Sequence, residues 1–211
     1  MKMLQSALLI FLILAGLWPP SQLIGQVSYD RILSAANEPE NWLTYNGTYS
    51  SQRYSGLRQI TPSNVDDLEL KWMLQNQVFG AWQSNPIVVD GIMYVTERPN
   101  DVMAVDAVTG RVFWLYRHTP SEDARVCCGA NNRGVAVLDD KVFMGTLDAH
   151  LIALDATNGQ PLWNVEVGDE NLGYSITMAP LVVKDKVMVG VGGGEFGIRG
   201  FVVAYDADTG E

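Results

Sequence analysis

The chain has 211 residues, of which 18% are charged and 47% hydrophobic, a balance that excludes a disordered polymer and suits one or two domains. It carries 14 basic and 24 acidic residues, a formal net charge of −10. That argues against a nucleic-acid surface, which needs a basic stripe against the phosphates. Lys2 then opens a leader in which Ala7 to Leu17 reads ALLIFLILAGL and Pro19 and Pro20 break the run. So short a run falls below the roughly 20 residues of a bilayer span and fits the h-region of a secretory signal peptide. The sequence predicts a signal peptide over 1–25, cut between Ser21 and Ser28, and hence a periplasmic or secreted protein. An uncleaved membrane anchor is the alternative. No cysteine follows the run closely, which argues against a lipoprotein.

Past the leader the signals are short and apolar. Ile87-Val88-Val89, Ile92 to Val95, Val102 to Val105 and Val112-Phe113-Trp114 read as strands, separated by Asp90-Gly91, Pro99-Asn100 and Thr109-Gly110 as turns. No stretch keeps a 3.6-residue apolar period, so the fold class is all-β. The pattern then recurs: AVDAVTGRVFW at 104–114, ALDATNGQPLW at 153–163 and AYDADTGE at 204–211. The aspartates are Asp106, Asp155 and Asp206, in steps of 49 and 51 residues. A second marker precedes each copy: VVDGIMYV at 88–95, LDDKVFMG at 138–145 and VKDKVMVG at 183–190. A period near 50 with four short strands is the signature of a β-propeller blade. The Asp and Gly make the turn between two strands, and the Trp ends a strand and offers a flat surface to the next blade. Trp72, in LKW, fits an opening copy. The chain holds about three blades, fewer than the roughly 4–8 that close a ring. The expectation is therefore a propeller domain over 26–211, incomplete at its C-terminus.

The repeats resemble the tryptophan-docking motifs of the pyrroloquinoline-quinone (PQQ) dependent alcohol dehydrogenases, of the methanol and ethanol dehydrogenase type. NWLTYNGTYSSQRYSGLRQITPSNVDDLELKW at 41–72 is similar to the opening of their catalytic domain. CCGANNRG at 127–134 is similar to their paired-cysteine segment, and GYSITMAP at 173–180 and GGGEFGIRG at 192–200 to the next cofactor segments. The resemblance covers residues 40 to 211 and implies an eight-bladed propeller. It further implies PQQ and a Ca²⁺ or lanthanide ion on the axis. Such enzymes oxidise primary alcohols by hydride transfer to the quinone and pass electrons singly to a cytochrome c. The ion acts there as a Lewis acid and the cofactor carries the redox chemistry.

The resemblance assigns roles by position. Cys127 and Cys128 would form a vicinal disulfide against the PQQ ring. Adjacent Cα atoms lie about 3.8 Å apart, closer than the roughly 4.4–6.8 Å of a relaxed disulfide, so such a ring is strained and rigid. Two buried thiols are the plainer alternative, less suited to an exported protein. Arg133 would pair with a PQQ carboxylate, against the alternative of a surface arginine pairing with Asp123 or Asp140. Thr177 matches the cofactor-binding threonine, although a strand threonine near Ser175 is usually only that. Gly193 and Gly194 match positions where the backbone approaches PQQ, and Glu195 matches a metal ligand, its alternative being a solvated loop carboxylate. Gln83 stands where relatives carry a cofactor-contacting Glu; it keeps the shape and loses the charge. Gly192 stands where many relatives have Ser, and Gly129 and Asn131 also depart from the commoner residues. Gly192, Gly194 and Gly197 spell G-x-G-x-x-G, but a strand and a turn follow where a nucleotide site needs a helix. His118 and His150 read as structural or surface residues.

The expected function is the N-terminal portion of a periplasmic quinoprotein dehydrogenase acting on a small primary alcohol. The catalytic aspartate of the family lies beyond Glu211, so this chain alone is expected to be inactive. The alternative is a non-enzymatic propeller scaffold of the cell envelope, which would keep the repeats but has no reason to keep Cys127, Cys128, Arg133, Thr177 and Glu195. A sugar-oxidising relative fits the paired cysteines less well. The sequence leaves oligomeric state open, a homo-oligomer included.

Overall fold

A computed structural model describes residues 27–76, 78–127 and 129–211; the leader read over 1–25, and Cys128, lie outside the described residues. Three antiparallel sheets follow one another along the chain. The first takes β1 (Ile87–Val89), β2 (Ile92–Glu97), β3 (Asp101–Asp106) and β4 (Val112–Tyr116) in sequence order. The second takes β5 (Ala136–Leu138), β6 (Lys141–Gly145), β7 (His150–Asp155) and β8 (Pro161–Glu166) in the same order. The third takes β9 (Leu181–Val183), β10 (Lys186–Gly190) and β11 (Val202–Asp206). These are the meander blades of a β-propeller. The expected strands of the first blade are all present; β1 keeps its expected bounds, and β2, β3 and β4 gain one or two residues at an end, where cross-strand pairing carries on.

Local chemistry sets the turns. Asp90 and Gly91 take φ of +49° and +81°, the paired left-handed geometry of a two-residue hairpin turn between Val89 and Ile92. Asp106, Asp155 and Asp206 each accept the backbone N–H of a Gly four residues on, Gly110, Gly159 and Gly210, at 2.8–2.9 Å. Their carboxylates close the same turns by accepting backbone N–H groups, from Val108 and Thr109, from Thr157, and from Asp208 and Thr209. β6 and β7 are buried on both faces over most of their length, whereas β4 and β8 alternate towards solvent.

The tryptophans join the blades. Trp72 Nε1 donates to the Ala107 carbonyl at 3.1 Å, Trp114 Nε1 to Ala156 at 2.9 Å and Trp163 Nε1 to Ala207 at 3.2 Å. Each ring lies over the turn glycine of the following copy. A Cβ on Gly110, Gly159 or Gly210 would come within 2.6, 2.5 or 3.1 Å of Trp72, Trp114 or Trp163. Sequence reasoning assigned the Trp to the blade interface; the glycine turns out to be its partner as well as a turn former.

Residues 27–49 form a strap across the blades. Ser28 caps the short helix α1 (Tyr29–Leu33) by accepting the Arg31 N–H. Val27 pairs with Asp139 of the second blade, Trp42 with Val88 on the free edge of β1, and the Tyr49 hydroxyl donates to Val182 of the third. Ile32 and Leu43 are buried with the inner strands. Arg31 bridges Glu38 and Asp90 at 2.7 and 2.5 Å, fixing the strap to the first hairpin. No described helix is long and apolar enough to cross a membrane.

Candidate functional site

The segments leading into the three inner strands meet side by side. Asn85 N–H donates to the Arg133 carbonyl at 3.0 Å, and Arg133 N–H donates to the Thr177 carbonyl at 3.2 Å. Three consecutive blades are thus linked by backbone hydrogen bonds just before β1, β5 and β9. Asn132 locks the middle segment: its Nδ2 donates to Gly145, its Oδ1 accepts from Gly134 N–H, and its carbonyl accepts from Thr96 Oγ1. Gly134 has φ +131°, and a Cβ there would lie 2.8 Å from the Asn85 carbonyl oxygen, so the close approach requires glycine.

This framework presents Arg133 and Thr177 to a cleft of about 160 Å³. Cys127, Arg133, Ser175, Thr177, Gly193 and Glu195 line it, together with Gly129 and Gly192. Arg133 Nη1 donates to the Thr177 carbonyl at 3.2 Å, and among the described residues the guanidinium forms no salt bridge, with Asp123 or Asp140 or any other acid. Ser175 and Gly192 exchange both backbone hydrogen bonds, at 3.2 and 2.8 Å, which brings the glycine run back across the cleft. Glu195 sits in the single 3₁₀ turn Gly194–Phe196 and is exposed. Gly193 has φ +122°, and its Cβ would strike the Gly173 carbonyl oxygen at 2.0 Å. Gly194 differs: a Cβ there would meet nothing within 4 Å, and Gly194 is not itself among the residues that line the cleft.

Five of the expected site residues, Cys127, Arg133, Thr177, Gly193 and Glu195, therefore converge from three segments, the first and last of these residues 68 positions apart, and Gly194 stands between two of them. Gln83 is exposed and is not among the lining residues. Its neighbours are pinned, Trp82 Nε1 donating to Thr96 at 2.6 Å and Ser84 Oγ accepting from Thr96 N–H at 3.0 Å. Cys127 is disulfide-bonded, and Cys128 lies outside the described residues. Ser175 is buried on the cleft wall; the sequence placed it only as the neighbour of Thr177. His118 and His150 are structural, hydrogen-bonded to Asp148 and Asn164.

The donor set fits an anionic, planar, oxygen-rich ligand: one guanidinium without a carboxylate partner among the described residues, two hydroxyls and glycine backbone on one wall. Glu195 offers one hard oxygen ligand to a cation, and no described cluster of three His, Cys, Asp or Glu completes a metal site.

Residues 42–211 match the family profile described as PQQ, glucose/ethanol/alcohol dehydrogenase, beta-propeller domain. The chain belongs to this PQQ dehydrogenase propeller family. It is 47% identical over 187 residues to the quinohemoprotein alcohol dehydrogenase ADH-IIG of Pseudomonas putida, covering 86% of this chain and 26% of that one. It is 42% identical over 197 residues to the lanthanide-dependent methanol dehydrogenase of Methylacidiphilum fumariolicum (strain SolV), covering 89% of this chain and 32% of that one. The solved structure of quinohemoprotein alcohol dehydrogenase ADHIIG from Pseudomonas putida HK5 superposes with a TM-score of 0.85 at 45% identity, over 88% of this chain and 28% of that one. A europium-containing methanol dehydrogenase gives a TM-score of 0.82 at 43% identity, over 86% of this chain and 32% of that one. The chain thus spans about a quarter to a third of the length of these PQQ dehydrogenase relatives.

Proposed function

We propose that the protein is a PQQ-dependent dehydrogenase that oxidises a small primary alcohol to an aldehyde. The observation that carries this reading is the convergence of Cys127, Arg133, Thr177, Gly193 and Glu195 on one cleft, in a chain of the PQQ propeller family. Arg133 would hold a cofactor carboxylate through its planar fork. Thr177 would hydrogen-bond the ring system, and Gly193 and Gly194 would let it rest against bare backbone. Cys127 and Cys128 would form a vicinal disulfide covering one ring face. Glu195 would supply one oxygen ligand to a calcium ion or, as the lanthanide-dependent relative suggests, a lanthanide. Bound there, PQQ supplies a two-electron acceptor and the cation a Lewis acid. The alcohol would lose two electrons and two protons, and a cytochrome c would take the electrons onward one at a time. Residues 1–25 would act as a secretory signal peptide and place residues 26–211 in the periplasm.

The test is a spectral titration of the protein with PQQ in the presence of Ca²⁺ or La³⁺. Saturable binding is expected. Arg133→Gln should weaken it by about tenfold or more, the scale of one lost charged hydrogen bond. The product of the full gene should then reduce an artificial electron acceptor when a primary alcohol is added. Absence of PQQ binding with either ion would overturn the reading and leave a non-enzymatic propeller scaffold as the better account.

A further inference from the structure

The cysteine segment has no regular secondary structure between β4 and β5, yet it carries Cys127 to the cleft. A long connection without strands holds a fixed position only if other elements pin it. Two charged side chains do so, one near each end. At the start, Asp148 in the β6–β7 turn accepts His118 Nε2 at 2.9 and 3.0 Å, and its Oδ2 also accepts the Ser121 N–H at 3.1 Å. At the end, Arg98 in the β2–β3 turn donates from Nε to the Ala130 carbonyl at 2.8 Å and from Nη1 to the Phe79 carbonyl at 3.3 Å.

Both anchors are built into the blades. The Asp148 side chain is 8% exposed and that of His118 16%. Burial alone would raise the Asp148 carboxyl, but hydrogen bonds from His118, Thr146 and the Ser121 N–H outweigh it and hold the group well below the ordinary carboxylate range. Gly80 has φ +123°, and a Cβ there would fall 1.7 Å from Arg98 Nη1, so the guanidinium fills the space that the glycine leaves. The two turns are also tied together: Asn100, two residues from Arg98, accepts the N–H of Leu147, next to Asp148, at 2.9 Å and fully buried. Two hairpin turns of neighbouring blades thus form one rigid platform, and each presents a charge to the same loop.

We propose that Arg98 and Asp148 are positioning residues that fix the segment running from His118 to Asn131, and through it Cys127, at the cleft. What the cleft holds rests on the PQQ reading above; the anchoring does not. Asp148 acts on the approach to Cys127 and Arg98 on the exit, so loss of either should loosen the segment while leaving the Asn100–Leu147 tie and the blade cores in place.

The experiment compares Asp148→Asn and Arg98→Lys with the parent protein by hydrogen–deuterium exchange and by PQQ titration with Ca²⁺. Exchange in peptides spanning 119–131 should accelerate by about tenfold or more in each variant, the scale of a lost hydrogen bond to a charged group. Protection of β1–β3 and β5–β7 should stay at the parent level. The dissociation constant for PQQ should rise by a similar factor. Unchanged exchange in 119–131, or a rise spread evenly over the blades, would overturn the anchoring. A loosened segment with unchanged PQQ affinity would overturn the positioning role. If neither parent nor variants bind PQQ, the cofactor reading falls while the exchange measurement still decides the anchoring. His118→Gln, which removes one of the donors to Asp148 and keeps the carboxylate, gives the same comparison should Asp148→Asn fail to fold.

Discussion

At the residue scale, two adjacent glycines that look alike in the sequence do different work. Gly193 is required by the protein itself: its φ is +122° and a Cβ would collide with the Gly173 carbonyl. Gly194 is under no such constraint, because its Cβ would point into open space. Gly193→Ala should therefore destabilise the fold by about 1–3 kcal/mol through backbone strain and overpacking, read as a lowered denaturation midpoint. Gly194→Ala should leave that midpoint in place, because the added methyl meets no protein atom, and, if PQQ rests against this backbone as proposed, should weaken PQQ binding. Equal loss of stability in both variants would show that Gly194 also serves packing. The site residues themselves were legible because each sits in a short motif with unusual composition: paired cysteines, Asn-Arg-Gly, a triple glycine before a carboxylate. Their supports were not. Asp148 lies in Thr-Leu-Asp-Ala-His, where an aspartate reads as an ordinary turn former, and its partner His118 is 30 residues earlier, in the connection between β4 and β5. His118 was legible as structural, but sequence spacing carries no trace of that pairing.

At the element scale, the blade was legible as a whole because its motif is one physical unit repeated. The aspartate turn, the glycine under the preceding copy's ring and the tryptophan indole recur together, so the period of 49 and 51 residues marked every interface at once. Element ends were less legible: β2 runs on through Thr96 to Glu97, where pairing with β3 continues through polar residues that apolar pattern alone would leave to the loop. The interface also makes a graded prediction. Trp114 is buried, packs on Tyr94 with ring centroids 5.9 Å apart, and donates to Ala156. Trp114→Phe keeps most of the apolar contact and loses the hydrogen bond, which should cost about 1 kcal/mol. Trp114→Ala should cost about 3–5 kcal/mol by adding the cavity. Denaturant titrations of the two variants check the ratio; near-equal losses would mean that the indole N–H, not the ring, holds the blades.

At the scale of the whole molecule, the described chain is a short linear array crossed by one strap. The strap of residues 27–49 has no repeat signal, and its sequence shows only a capped helix start and scattered aromatics, so its course over three blades emerged only from the structure. Arrays whose units touch mainly their neighbours lose stability locally when one interface is cut. Trp163 is the tryptophan link from the second blade to the third, through Ala207 and the turn at Gly210. Tyr49 of the strap gives the third blade a second tie at Val182, on β9. Trp163→Ala should therefore lower amide protection in β10 and β11 far more than in β1–β4, with β9 retaining an intermediate level because the strap still holds it. Exchange measured segment by segment distinguishes this from the alternative. If protection falls by the same factor in all three blades, strap and blades unfold as one cooperative unit, and the interface tryptophans stabilise the molecule globally rather than pair by pair.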